Sequence, residues 1–238
     1  MQNIVALCAS PRAGMPEQKS LTEELLNYFL EGLKGPRCQV FYPHKMNINY
    51  CEGCLTCWFK TPGTCAQDDD MATIKSAMEE ADLVILASPV YTDGFSSQIK
   101  TVLDRCISMV DPLIISDEEG RSRHSPLKPQ NRKAVLISTC GFPELDNFEH
   151  IRGHFRAICK NLFWEHAGEI LVPGSALGFI KGYYGEKFQA VKQAGRELQE
   201  QGRISSLTEE EIRKEIVSTR EYQEIVNPFF QKLRDQQQ

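Results

Sequence analysis

The sequence has no apolar run near the roughly 20 residues that a membrane-spanning helix needs. It has no excess of basic residues: 27 Lys and Arg stand against 32 Asp and Glu, for a formal net charge of −5. That balance gives no footing to nucleic acid or to an anionic membrane as a partner. The first residues, Met1-Gln2-Asn3-Ile4-Val5, lack a basic region and a signal-type apolar stretch, so the expectation is a cytoplasmic protein. There is no internal repeat and no low-complexity segment. Two phosphate fingerprints are missing: neither G-x-G-x-x-G nor G-x-x-x-x-G-K-[ST] occurs. Histidine is scarce, and His124, His150, His154 and His166 fall in no metal-ligand spacing.

Cysteine, by contrast, is plentiful. Nine are present, and four of them crowd between Cys51 and Cys65. In a reducing compartment such a count does not suggest a disulfide framework. Clustered thiols there suggest metal or redox chemistry. Cys51-x2-Cys54-x2-Cys57-x7-Cys65 suits an iron–sulfur cluster; zinc or plain structural cysteines remain open. Cys8, Cys38, Cys106 and Cys159 lie in strand or helix patterns and read as core residues.

Along the chain, short apolar runs alternate with amphipathic stretches. Ile4–Ala9, Gln39–Tyr42, Leu83–Ala87, Ala134–Thr139 and Glu169–Val172 predict five strands. Helices are expected over Ser20–Leu33, Met71–Ala81 capped by Asp69, Ser97–Val110 and Glu149–Phe163. Three more are expected in the tail, over Gly185–Gln201, Thr208–Thr219 and Glu221–Leu233. Asp111–Arg132 is polar and reads as a surface insertion. Continuous apolar strands alternating with helices predict an α/β fold: a doubly wound, five-stranded parallel sheet with helices on both faces. The expected division is a domain over 1–180 and a C-terminal helical extension over 181–238. Such sheets bind ligands where strand order reverses, at the strands' carboxyl ends.

The residues after strand one are Ser10-Pro11-Arg12-Ala13-Gly14, then Ser20-Leu21-Thr22 opening a helix. Hydroxyls, a guanidinium and a helix N-terminus together suit an anion. A polar turn with Ser20 as a simple helix cap is the alternative. After strand three come Pro89-Val90-Tyr91-Thr92-Asp93-Gly94-Phe95, then Lys100, Asp104 and Arg105; Lys100 and Asp104 also fit a surface i,i+4 pair. After strand four come Thr139-Cys140-Gly141-Phe142, where Gly141 would let the backbone approach a ligand closely and Cys140 reads as a packing residue.

These stretches resemble the three loops of the flavodoxin-like NAD(P)H-dependent FMN reductases, whose phosphate loop reads G-S-P-R and then G-N-T. Here Ala9 replaces the first Gly and Leu21 the Asn. The cysteine motif with Asp69-Asp70-Met71 is similar to that of the iron–sulfur flavoproteins. The resemblance spans roughly Met1 to Pro173. It implies a flavodoxin-like fold holding FMN: phosphate at Ser10, Arg12, Ser20, Leu21 and Thr22, and ring at Pro89, Val90, Tyr91, Thr92, Phe95, Thr139, Cys140, Gly141 and Phe142. It implies Cys51, Cys54, Cys57 and Cys65 as ligands of a [4Fe–4S] cluster. It further implies NAD(P)H as electron donor, a quinone, flavin or other small molecule as acceptor, and a homodimer or homotetramer. An electron carrier exchanging with a ferredoxin is the alternative. The flavin would carry the chemistry, with no side chain assigned as catalytic.

Overall fold

The computed structural model describes residues 1–15, 20–128, 131–180 and 182–236. The principal sheet is built from β1 (Asn3–Cys8), β2 (Arg37–Phe41), β3 (Leu83–Pro89), β6 (Lys133–Thr139) and β7 (Glu165–Val172). All are parallel, in the order β2-β1-β3-β6-β7. That is the doubly wound flavodoxin-like arrangement expected, with the order reversing between β1 and β3.

Alternate residues of each strand feed two separate cores. From β3, Leu83, Ile85 and Ala87 face one helical layer, which includes α1 (Leu21–Leu33) and α6 (Gly185–Gln201). Val84 and Leu86 face the other, which includes α3 (Met71–Glu80), α4 (Ser97–Arg105) and α5 (Glu149–Asn161). Burial on both faces is why these strands are apolar without interruption. Helices α1 and α6 cross at two glycines. A Cβ on Gly195 would come within 2.2 Å of the Phe29 carbonyl oxygen, and one on Gly32 within 2.1 Å of the Lys192 carbonyl oxygen.

Several boundaries differ from the expectation. The helix predicted to reach Val110 stops at Arg105 and tightens into a 3-10 turn, Cys106–Met109. The polar insertion at Asp111–Arg132 is largely an antiparallel hairpin of β4 (Val110–Ser116) and β5 (Ser122–Pro126); residues 129–130 of it lie outside the described set. Its exposed Leu113, Ile114 and Ile115 do not alternate with polar residues, so period two did not reveal a strand. Strand β7 begins at Glu165 rather than Glu169, because Glu165 and His166 sit exposed at its start. Helix α7 spans only Ser206–Arg213, and α8 spans Thr219–Asp235 behind a Ser218/Glu221 capping box. The free edge of β7 is covered by the following chain: Ile204 N–H donates to Ala167 O at 2.9 Å, and Glu169 N–H to Glu209 Oε1 at 2.7 Å. No helix of the described residues is long and apolar enough to cross a membrane.

Candidate functional site

Parallel register delivers the ends of the strands to one level. Pro89 pairs with Thr139, and Thr139 with Val172. The following loops are tied across the same edge: Ala9 N–H donates to Ala87 O at 2.8 Å, Val90 N–H to Thr139 O at 2.8 Å, and Ser175 N–H to Cys140 O at 2.7 Å. A cleft of about 450 Å³ opens there. It is lined by Ser10, Arg12, Leu21, Thr22, Pro89, Val90, Tyr91, Thr92, Thr139, Cys140, Gly141 and Phe142, all singled out from sequence. Two expected residues stand elsewhere. Ser20 is buried behind the loop, its Oγ accepting from Glu23 N–H as the N-cap of α1. Phe95 is buried in the α4–α5 core, its ring 5.3 Å from that of His154, and does not line the cleft.

One end of the cleft is hydroxyl-rich. Ser10, Thr22 and Thr139 are all buried, and the Thr22 and Thr139 hydroxyls bond each other at 2.9 Å. The Ser10 loop turns through Ala13 N–H to Ser10 O at 3.0 Å. Its Gly14, at φ +64°, donates its N–H to both oxygens of Glu23 at 2.9 Å. The Tyr42 hydroxyl donates to the same carboxylate at 2.8 Å, and burial together with that carboxylate raises the phenol's pKa. The loop is thereby bolted to the first turn of α1, whose N-terminus favours an anion. The Arg12 guanidinium lies 4.7 Å from the centre of the Phe179 ring, a cation–π contact that sets its place at the mouth. Buried hydroxyls, a held guanidinium and a helix N-terminus fit the phosphate of a flavin nucleotide.

The opening of the cleft is rimmed with aromatic rings. Tyr91 and Gly94 exchange backbone hydrogen bonds at 3.0 and 3.1 Å, closing a turn through Thr92 at φ +46° and Asp93 at φ +62°. A β-branched residue in the left-handed region is strained, and such strain gathers at ligand sites. Tyr91, Phe142, Phe179 and Phe230 keep much of their rings exposed around the opening. Burial raises the Cys140 thiol, as suits a packing residue. Burial likewise pushes the interior Cys8, Cys106 and Cys159 up to about 12 and the partly buried Cys38 to about 11, as suits packing residues.

Sequence reasoning missed a second set of lining residues: Asp93, Asn147, Ser175, Ala176, Phe179, Tyr222 and Phe230. The Pro173-Gly174 turn after β7 was a usable signal for a fourth loop. The helix α8 was expected, but nothing local marked it as part of the cleft; it bends back so that the Tyr222 hydroxyl donates to the Gly141 carbonyl.

The cysteine loop stands apart from these lining residues. Cys57, in the short helix α2 (Thr56–Phe59), is buried, Cys54 is exposed, and Cys51 and Cys65 are partly buried. Burial raises the Cys57 thiol, and Cys65, Cys51 and Cys54 raise it further, so the four sulfurs share one neighbourhood. Among the described residues no three such groups close on a single metal ion. The donor set is sulfur alone, which suits a multinuclear iron–sulfur body better than a hard cation. Asp69 was expected to cap α3. It does accept Met71 N–H at 3.1 Å, but its main partner is Arg105, in a buried two-pronged ion pair at 2.7 and 3.0 Å. Lys100 and Asp104 form the exposed i,i+4 pair.

Known proteins place this arrangement. An iron–sulfur flavoprotein of Archaeoglobus fulgidus is 31% identical over 192 residues, covering 79% of this chain and 76% of its own length. An iron–sulfur flavoprotein of Methanocaldococcus jannaschii is 36% identical over 104 residues, 43% of this chain and 50% of its own. Among solved structures, an FMN-dependent NADH-azoreductase from Bacillus anthracis in complex with FMN superposes with a TM-score of 0.61 at 15% identity, over 84% of this chain and 100% of that one. An NAD(P)H:quinone oxidoreductase from Methanothermobacter marburgensis gives 0.60 at 16%, over 83% and 97%. At such identities these two establish the shared fold. The NADPH-dependent FMN reductase family matches residues 2–142, the stretch that carries all three loops of the cleft. This chain is an oxidoreductase belonging to that family.

Proposed function

We propose that the cleft holds FMN, and that the protein oxidises NAD(P)H and reduces a small acceptor such as a quinone or a free flavin. The observation that carries this reading is the makeup of the cleft: buried hydroxyls beside Arg12, with exposed aromatic rings around the opening. FMN when bound supplies a hydride acceptor able to part with its electrons singly or in pairs.

The chain's own contributions follow from the geometry. Ser10, Thr22 and Arg12 bind the phosphate, with Ser20 and Leu21 fixing the helix end beneath it. Pro89–Thr92 and Thr139–Phe142 offer backbone groups to the polar edge of the ring. Tyr91, Phe142, Phe179 and Phe230 exclude water from the face where donor and acceptor take turns.

The cysteine loop favours a second reading, an iron–sulfur flavoprotein that carries electrons from a ferredoxin-like donor. In it Cys51, Cys54, Cys57 and Cys65 hold a [4Fe–4S] cluster. The names of the relatives support it. We place the protein in the cytoplasm as a homodimer or homotetramer; nine free thiols support a reducing compartment.

An anaerobic absorption spectrum of protein purified without added cofactor, with flavin, iron and acid-labile sulfide quantified, tests both readings. Flavin with stoichiometric iron and sulfide is expected for the carrier, and flavin alone with rapid NAD(P)H oxidation for the reductase. A protein that takes up no FMN on reconstitution overturns both.

A further inference from the structure

Arg105, on α4, is only 2% exposed. One terminal nitrogen donates to the Asn49 carbonyl at 2.9 Å, to Asp69 Oδ2 at 2.7 Å and to Gln67 Oε1 at 3.4 Å; the other donates to Asp69 Oδ1 at 3.0 Å. Asn49 stands just before Cys51, and Gln67 and Asp69 just after Cys65. One side chain from the scaffold therefore ties both ends of the cysteine loop together.

Its remaining donor is different. Arg105 Nε is buried without a hydrogen-bond partner. A buried N–H left unmade is costly, so this one calls for an explanation. Cys65, alone of the four loop cysteines, lines the same recess of about 200 Å³ as Arg105.

We propose that Arg105 is a positioning residue for the cysteine-bound cluster, closing the loop at Asn49, Gln67 and Asp69 and donating its unpartnered Nε–H to the Cys65 sulfur when the cluster is bound. This rests on the iron–sulfur reading of the loop. Asp69 offsets the guanidinium's charge, so the influence on the cluster runs mainly through the directed N–H. A hydrogen bond to a ligand sulfur draws electron density from the cluster and raises its reduction potential. Arginine suits the position because its rigid fork serves a carboxylate and a second acceptor at once; lysine has no Nε–H at that point of the chain.

The test is R105K in the full-length protein, reconstituted anaerobically with iron, sulfide and FMN. Flavin, iron and sulfide are counted per chain, and the cluster midpoint is read by redox titration followed by electron paramagnetic resonance. The expected result is wild-type flavin and iron with a lowered midpoint. A fully loaded R105K with the wild-type midpoint overturns the proposal alone. A wild type that takes up no iron overturns the cluster reading, and the proposal with it. Should R105K fail to fold, the wild type labelled with guanidino-15N arginine replaces it. Pulsed resonance of the reduced cluster is expected to show a coupled arginine nitrogen, and its absence overturns the proposal.

Discussion

Arg12 is held in position by a ring rather than by an acid. Its contact with Phe179 places the guanidinium in the wall of the cleft. No salt bridge of Arg12 occurs among the described residues, so its charge is available to a phosphate. Charge-assisted bonds are worth about 1.5–3 kcal/mol. Arg12→Ala is therefore expected to weaken FMN binding by about ten- to hundredfold. Flavin fluorescence titration of the apoprotein measures it, and unchanged affinity would remove Arg12 from the phosphate site. This residue was legible in the sequence because Ser10-Pro11-Arg12 is a local pattern. Phe179, which sets its place, was not: the contact joins residues 167 positions apart, and no spacing rule reaches that far.

Between elements, α1 and α6 approach closely at their crossing. Gly195 and Gly32 let backbone meet backbone, and the atoms a Cβ would strike are carbonyl oxygens that cannot turn away. Overpacking of this kind costs about 1–3 kcal/mol. Gly195→Ala is expected to lower the thermal midpoint by several degrees, read by circular dichroism; a midpoint unchanged within error would mean that the helices separate freely. The helices themselves were visible in the periodicity of Leu21, Leu25, Leu26, Phe29 and Leu33, whereas the hairpin of β4 and β5 was not. Three adjacent apolar residues in a polar segment carry no period, and only pairing with β5 identifies them as strand.

At the scale of the whole molecule, Glu169 joins three elements. It is fully buried on β7 and accepts from Arg152 at 2.7 Å and Arg156 at 2.9 Å on α5, with Arg213 of α7 at 3.4 Å and His166 at 3.0 Å. Burial alone would raise this carboxyl, but His166 and the arginines hold it down to about 2. A depressed pKa means stability that is present above the unfolded value of about 4.3 and lost as pH falls toward 2. Glu169→Gln removes the buried carboxylate that these partly exposed cations share and is expected to cost about 1.5–3 kcal/mol at pH 7. Urea unfolding at pH 7 and near pH 3 measures it: the gap between variant and wild type should narrow at the lower pH. A gap that stays constant would show that the carboxylate charge plays no part.

The sequence by itself determined the class of fold, the strands of the parallel sheet and three of the loops that line the cleft. Each of these rests on contiguous residues: an apolar run, an amphipathic period, a turn at a strand's end. Tertiary structure alone decided which distant residues complete the site. The Phe179 turn, Tyr222 and Phe230 reach the cleft because β7 and α8 return the chain to it. It also decided that Ser20 and Phe95 stand behind the cleft wall. Burial on one side of a loop or the other is a property of packing, and local patterns carry no record of it.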